Sequence, residues 1–266
     1  MEPIKILVTA GKGGVGKSII STNVARKLSE TVKVAFIDAD LEGSNSSTCF
    51  GVADRELEVD ADGNKVIPIR ISDHLELVNV SSHPSVRNIH GTVMWEKETQ
   101  EDFLRQVLTR MAWGFKPEVV IIDCPAGVGA AIPALKKVYK NIDGAVLVTT
   151  PAKVSIENCE GVIRLLLDHK IPIMGMLSNM SYFTCGKCGQ KEYPYGTNGV
   201  KDLAKKYSLY IYGELPFMMD IPGHMDRGEA ISSELIDTIA AHVKEQIGMG
   251  AWFKKKLGIK SSPQSN

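Results

Sequence analysis

"IKILVTAGKGGVGKSIISTNVARKLSE", residues 4–30, decides the fold. An apolar, β-rich run (4–10) stops at a glycine-rich loop, and the loop opens a stretch in which Ile20, Val24 and Leu28 recur every four residues. Strand, loop and helix is the context in which G-x-x-x-x-G-K-[ST] holds a phosphate, and residues 11–18 satisfy that spacing. Gly11, Gly13, Gly14 and Gly16, with Lys12 and Val15 among them, let consecutive backbone N–H groups turn inward onto phosphate oxygens, and the helix adds its positive end. Lys17 then reaches the β and γ phosphates and Ser18 ligates Mg²⁺, so ATP with magnesium is the expected ligand.

Outward from this unit the same alternation continues. Short strand-like runs at 32–40, 75–82, 118–126, 144–150, 172–179 and 209–216 are separated mostly by amphipathic stretches. Strands apolar on both faces and joined by helices predict an α/β, doubly wound, mostly parallel sheet with helices on both faces. Residues 57–71 read as a hairpin turning at Asp62–Gly63, residues 81–95 as a loop, and residues 179–196 as a polar, turn-rich segment carrying two cysteines. One domain is expected over residues 1–248, followed by a basic and polar tail over 249–266 whose last serine-rich residues are expected to be disordered.

Composition narrows the function. The 31 Lys and Arg match 31 Asp and Glu, which provides no overall field for gathering nucleic acid or anionic lipid and argues against both as main partners. Five cysteines, an odd number and mostly in apolar surroundings, fit a reducing compartment, so a cytoplasmic location is expected. The apolar runs fall well short of the ~20 residues a spanning helix needs, and the N-terminus reads as lacking a signal peptide.

A phosphate site of this kind needs a carboxylate for its metal. The apolar run "EVVIID" ends at Asp123, which is expected to hold Mg²⁺ through water. The run "VAFIDAD" ends in Asp38 and Asp40, at the sheet edge where ligands bind in this architecture. Asp40 is expected to orient the attacking water and Asp38 to support the metal; the alternative is that the two only cap the strand.

Lys12 gives the loop the form "KGGVGKS", which resembles the deviant Walker A motif of the ParA/MinD group of dimerising ATPases. The resemblance implies a homodimer in which Lys12 reaches across to the partner's phosphates, as an arginine finger does. Cys185 and Cys188 form one CxxC, only half of the four-thiolate shell that zinc or an iron-sulfur cluster usually takes. Cys49, Cys124 and Cys159 read as small buried hydrophobes instead. A two-fold axis near the pair would double it to four ligands.

With "KGGVGKS" (12–18), "DADLEGSNSS" (38–47), "WG" (113–114), "VTTP" (148–151) and "SNMSYFTCGKCG" (178–189), the chain closely resembles the Mrp/ApbC/Nbp family of iron-sulfur cluster carrier ATPases. The resemblance implies that Cys185 and Cys188 of two subunits share a labile [4Fe-4S] cluster passed to apo-proteins. It also implies that Asn179 and the segment near Pro216 recognise adenine, and that Gly127 offers a backbone N–H to the γ phosphate. The chain departs from the family at Gly186–Lys187, where proline is usual, and at "DCPAGVGAA" (123–131), where Ala130 replaces an acid.

Three other readings stay open. A thioredoxin-like dithiol would use the same CxxC, but opening a helix after an early strand. A structural zinc would take the same four thiolates. A MinD-like spatial organiser would use "GAWFKKKLGIK" (250–260) as an interfacial anchor, although a solvated C-terminal helix accounts for it as well.

Overall fold

The computed structural model describes residues 2–41, 43–87, 97–129 and 131–256. Ala130, residues 88–96 of the expected loop and residues 257–266 of the expected tail lie outside them, as do the side chains of residues 250–256 of the stretch considered as an anchor.

Among the described residues the strands are, in chain order, β1 (Ile4–Thr9), β2 (Val34–Asp38), β3 (Glu58–Val59), β4 (Val66–Ile67), β5 (Ile69–Ser72), β6 (Leu75–Asn79), β7 (Val119–Asp123), β8 (Gly144–Thr149), β9 (Ile173–Thr184), β10 (Lys191–Glu192) and β11 (Ile211–Pro216). The helices are α1 (Lys17–Ser29), α2 (Ser46–Cys49), α3 (Pro84–Arg87), α4 (Lys97–Thr109), α5 (Ala131–Val138), α6 (Lys153–Asp168), α7 (Gly199–Tyr207), α8 (Ile221–Asp226) and α9 (Glu234–Lys256).

The main sheet runs β10-β9-β8-β1-β7-β2-β6-β5, with β11 also paired to β9. Every pairing among β1, β2, β6, β7, β8, β9 and β11 is parallel, while β5 and β10 run antiparallel at the edges. All five residues of "VVIID" and all six of "GAVLVT" are buried, which is why these strands read as unbroken apolar runs. Helices pack in pairs on the sheet, α1 with α9, α4 with α5 and α6 with α7. Ile20, Val24 and Leu28, the four-residue repeat of α1, are at most 2% exposed.

The predicted hairpin forms as β3–β4, with Gly63 in the left-handed region at φ 67°. The loop expected from residue 81 instead starts in a 3₁₀ turn, Val80–Ser82, and continues into α3. α9 runs through residue 248 to Lys256, so the expected domain boundary falls inside a helix. The largest difference is β9, which continues five residues beyond 179 to Thr184 and carries the cysteine segment out as a hairpin.

Sheet register delivers the site. Val8 pairs with Asp123, and Asp123 with Asp38, so β1, β7 and β2 end level with one another. The loops that leave them meet at the carboxyl edge, where chain order reverses on either side of β1.

Candidate functional site

The phosphate loop joins β1 to α1, and its glycines serve different purposes. Gly14 and Gly16 take φ of 77° and 83°, conformations costly for other residues. Gly16 also touches Asn179: a Cβ there would overlap the Asn179 amide nitrogen. Gly11 is not in the positive-φ region, but a Cβ on it would collide with the backbone of Asn158 and Cys159 in α6. α1 starts with no side-chain cap, so its first N–H groups are open to an anion.

Lys17 is buried, and its Nζ donates to Asp123 Oδ1 at 2.7 Å and to Ser18 Oγ at 3.3 Å. Burial works against its charge, but the Asp123 carboxylate, helped by Asp38, more than offsets it and raises the Lys17 pKa. Burial pushes Asp123 up to about 6 despite Lys17. Of this pair Lys17 keeps its proton, and Asp123 is the member that neutralises as pH falls.

Asp123 Oδ2 is buried without a hydrogen-bond partner. An orphaned carboxylate oxygen beside Ser18 and Lys17 fits a hydrated Mg²⁺, which would satisfy it. Asp38 differs. It is fully buried, and it accepts from Ser44 Oγ at 2.5 Å, the Asp40 N–H at 3.1 Å and the Ser46 N–H at 3.2 Å. These bonds tie down the loop after β2 that presents Asp40, and burial raises the pKa of Asp38. Asp40 lies on the cavity wall and accepts the Gly43 N–H at 2.9 Å.

A cavity of about 530 Å³ opens over the phosphate loop. Lys12 to Ile19, Asp40, Thr48 and Cys49 line it, with Met180, Ile221, Met225 and Asp226 from β9 and α8. Asn179 and Pro216, expected at the base, are not on this wall. The Asn179 amide donates to the Val15 carbonyl at 2.9 Å and braces the loop from beneath, and Pro216 pairs with Tyr182. The Gly127 N–H donates to the Ala10 carbonyl at 2.8 Å, and a γ phosphate would have to displace that bond. Ile221, Met225 and Asp226 carry no motif; only their place, just after the last parallel strand, could have pointed to them.

The cysteines stand elsewhere, at the tip of the β9–β10 hairpin. Phe183 pairs with Glu192 and Thr184 with Lys191; the Cys185 N–H then donates to the Gln190 carbonyl, and the Gly189 N–H to the Cys185 carbonyl, both at 2.9 Å. Backbone N–H groups of Cys188 and Lys187, and the Cys188 side chain, hold the Cys185 thiol below its ordinary range. Cys188 is exposed and Cys185 partly so, whereas Cys49, Cys124 and Cys159 are buried. Burial pushes Cys49 up to about 11 and Cys159 to about 12, as expected for inert core thiols. Among the described residues no three His, Cys, Asp or Glu side chains stand together as a metal site, and no helix is long and apolar enough to cross a membrane.

The family described as "ParA: NUBPL iron-transfer P-loop NTPase" matches residues 3–249. A Caenorhabditis elegans protein named Cytosolic Fe-S cluster assembly factor NUBP1 homolog is 30% identical over 232 residues, covering 85% of this chain and 72% of that one. An iron-sulfur cluster carrier protein of Methanocaldococcus jannaschii is 30% identical over 244 residues, 91% of this chain and 82% of that one. Among solved structures, a nucleotide-binding protein of Archaeoglobus fulgidus in complex with ADP superimposes with a TM-score of 0.69 at 26% identity, over 88% of this chain and 90% of that one. MinD of Aquifex aeolicus does so with a TM-score of 0.62 at 19% identity, over 98% and 100%, a likeness of fold.

Proposed function

The chain belongs to the NUBPL iron-transfer P-loop NTPases of the ParA group, and from that premise we propose that it is a cytoplasmic, ATP-hydrolysing carrier that holds a [4Fe-4S] cluster between two copies of itself and passes it to apo iron-sulfur proteins. The observation that carries this reading is the hairpin tip: two thiols outside the core, close together in one turn, with half the ligands a cluster needs. A second copy, related by a two-fold axis, supplies the other half.

Nucleotide binding exchanges partners at the phosphate loop. Lys17 turns from Asp123 to the β and γ phosphates, which frees the Asp123 carboxylate. Ser18 and Asp123 would hold Mg²⁺, which would supply positive charge to offset that of the phosphates. Asp38, engaged by three donors, supports the metal only indirectly, by fixing the loop that brings Asp40 to the cavity. Asp40 accepts a hydrogen bond from the attacking water and aligns it with the γ phosphorus. Lys12, exposed on the cavity wall, reaches the partner's phosphates and adds positive charge where the transition state spreads negative charge. Hydrolysis removes the reason for the two copies to stay closed and lets the cluster leave.

The test is metal and sulfide content of anaerobically purified protein. Wild type is expected to hold iron and sulfide in equal amounts, and Cys185→Ala to lose both while still binding ATP. Iron retained in the variant, or zinc without sulfide in the wild type, would overturn the carrier reading.

A further inference from the structure

Among the described residues, three outside glycine have a left-handed backbone: Lys170, Ser208 and Met180, at φ 55°, 53° and 52°. Lys170 and Ser208 stand at the ends of α6 and α7, where that conformation is an ordinary way to finish a helix. Met180 is inside a strand. A long side chain gains nothing locally from this geometry, which costs free energy that glycine would not pay, so the surroundings must impose it.

They do. Glu214 of β11 pairs with Ser178 and Pro216 with Tyr182, so β11 advances two residues while β9 advances four. The extra length is a bulge over residues 179–181. Ser178 and Ser181 close its neck, with their hydroxyls 2.6 Å apart and Ser181 Oγ also donating to the Ser178 carbonyl at 3.0 Å. On one side the bulge is pinned to the phosphate loop by the Asn179 amide on the Val15 carbonyl. The Met180 methyl lies near the same loop, 3.8 Å from where a Cβ on Gly16 would stand. On the other side Met180 lines a second cavity of about 220 Å³, between Phe183, Thr184, Pro194, Tyr195, Phe217 and Met219. Met180 is therefore a wall shared by the nucleotide cavity and a cavity at the root of the cysteine hairpin.

No free linker separates it from the thiols. Tyr182 accepts the Phe217 N–H, Phe183 and Thr184 pair with β10, and Cys185 follows directly. We propose that Met180 is a positioning residue: its strained bulge transmits the state of the phosphate loop along β9 to the cysteine hairpin, so that nucleotide occupancy sets the posture of Cys185 and Cys188. The link resembles a two-arrangement element that two sites bias together. It deepens the carrier reading and takes its purpose from it.

The test uses protein free of iron, so that its outcome is independent of the cluster measurement on Cys185→Ala. Iodoacetamide labelling of Cys185 and Cys188, read by peptide mass spectrometry, is compared with and without saturating ADP and Mg²⁺; Cys124 and Cys159, fully buried, serve as a check on unfolding. In the wild type, nucleotide is expected to change the labelling rate by at least about 5-fold, the lower end of ordinary coupling between sites. Met180→Gly, which accepts the left-handed backbone without strain and removes the shared wall, is expected to lose that dependence while the buried cysteines stay protected. Met180→Leu keeps the wall and the strain and is expected to retain it. A nucleotide response that survives in Met180→Gly, or its absence from the wild type, would overturn the proposal, whatever the iron content proves to be.

Discussion

Gly11 opens a phosphate-binding motif, yet its own constraint is packing. A methyl group there would meet the main chain of α6 at well under 3.0 Å, and backbone cannot swing aside as a side chain can. Gly11→Ala is therefore expected to destabilise the nucleotide-free protein by about 1–3 kcal/mol, seen as a lower urea midpoint. A variant with an unchanged midpoint would mean that α6 yields. Gly14 and Gly16 are held by dihedral angle instead, and Gly16 additionally by the Asn179 amide. The motif identified all of these residues, but it could not divide them by cause, because the neighbours concerned lie more than 140 positions away in the chain.

At the scale of elements, the decisive tie is between the start of α1 and the end of β7, made by Lys17 and Asp123. Asp123 has a folded pKa raised from 3.8 to about 6, so its contribution to stability is present below about pH 4 and is lost as pH rises through 6. Asp123→Asn removes that titration. The stability of wild type relative to the variant, both without nucleotide, is expected to fall by on the order of 2 kcal/mol between pH 4 and 6.5. Denaturant melts at stepped pH would measure it, and a flat difference would show that the carboxylate is already ionised in the fold at pH 4. Both residues were singled out in sequence, as expected nucleotide and metal partners, since one follows and the other ends an apolar strand. Their mutual contact was not legible, because it depends on β1 and β7 being neighbours in register. β9 escaped for a related reason: its last five residues, "MSYFT", lack the apolar run of a buried strand because they leave the core, with Phe183 and Thr184 exposed.

For the molecule as a whole, the two functional regions are joined through one strand rather than by proximity in sequence. The phosphate loop lies at residues 11–18 and the thiols at 185 and 188, and β9 carries Asn179, which braces the first, directly into the second. Pairing of copies is the next level. If Lys12 supplies charge to the partner's site, Lys12→Ala should remain monomeric by light scattering in the presence of ATP and Mg²⁺, and its ATPase rate should drop by about 10³-fold or more, as for loss of an arginine finger. Nucleotide binding to the single chain should persist. A variant that still pairs with ATP would assign closure to other surfaces.

Residues contiguous in the chain determined the class of fold, the phosphate loop, the strand-end carboxylates and the cysteine pair. Local spacing and hydrophobic periodicity encode those features directly, since each depends on neighbours a few positions away. Tertiary structure alone decided that Asp38 is occupied by the loop it anchors, that Asn179 faces the main chain of the phosphate loop, and that α8 closes the nucleotide cavity. It also decided that Met180 stands, strained, between that cavity and the hairpin. These depend on strand order and register, which bring together side chains far apart in the chain, and no short-range pattern records that meeting.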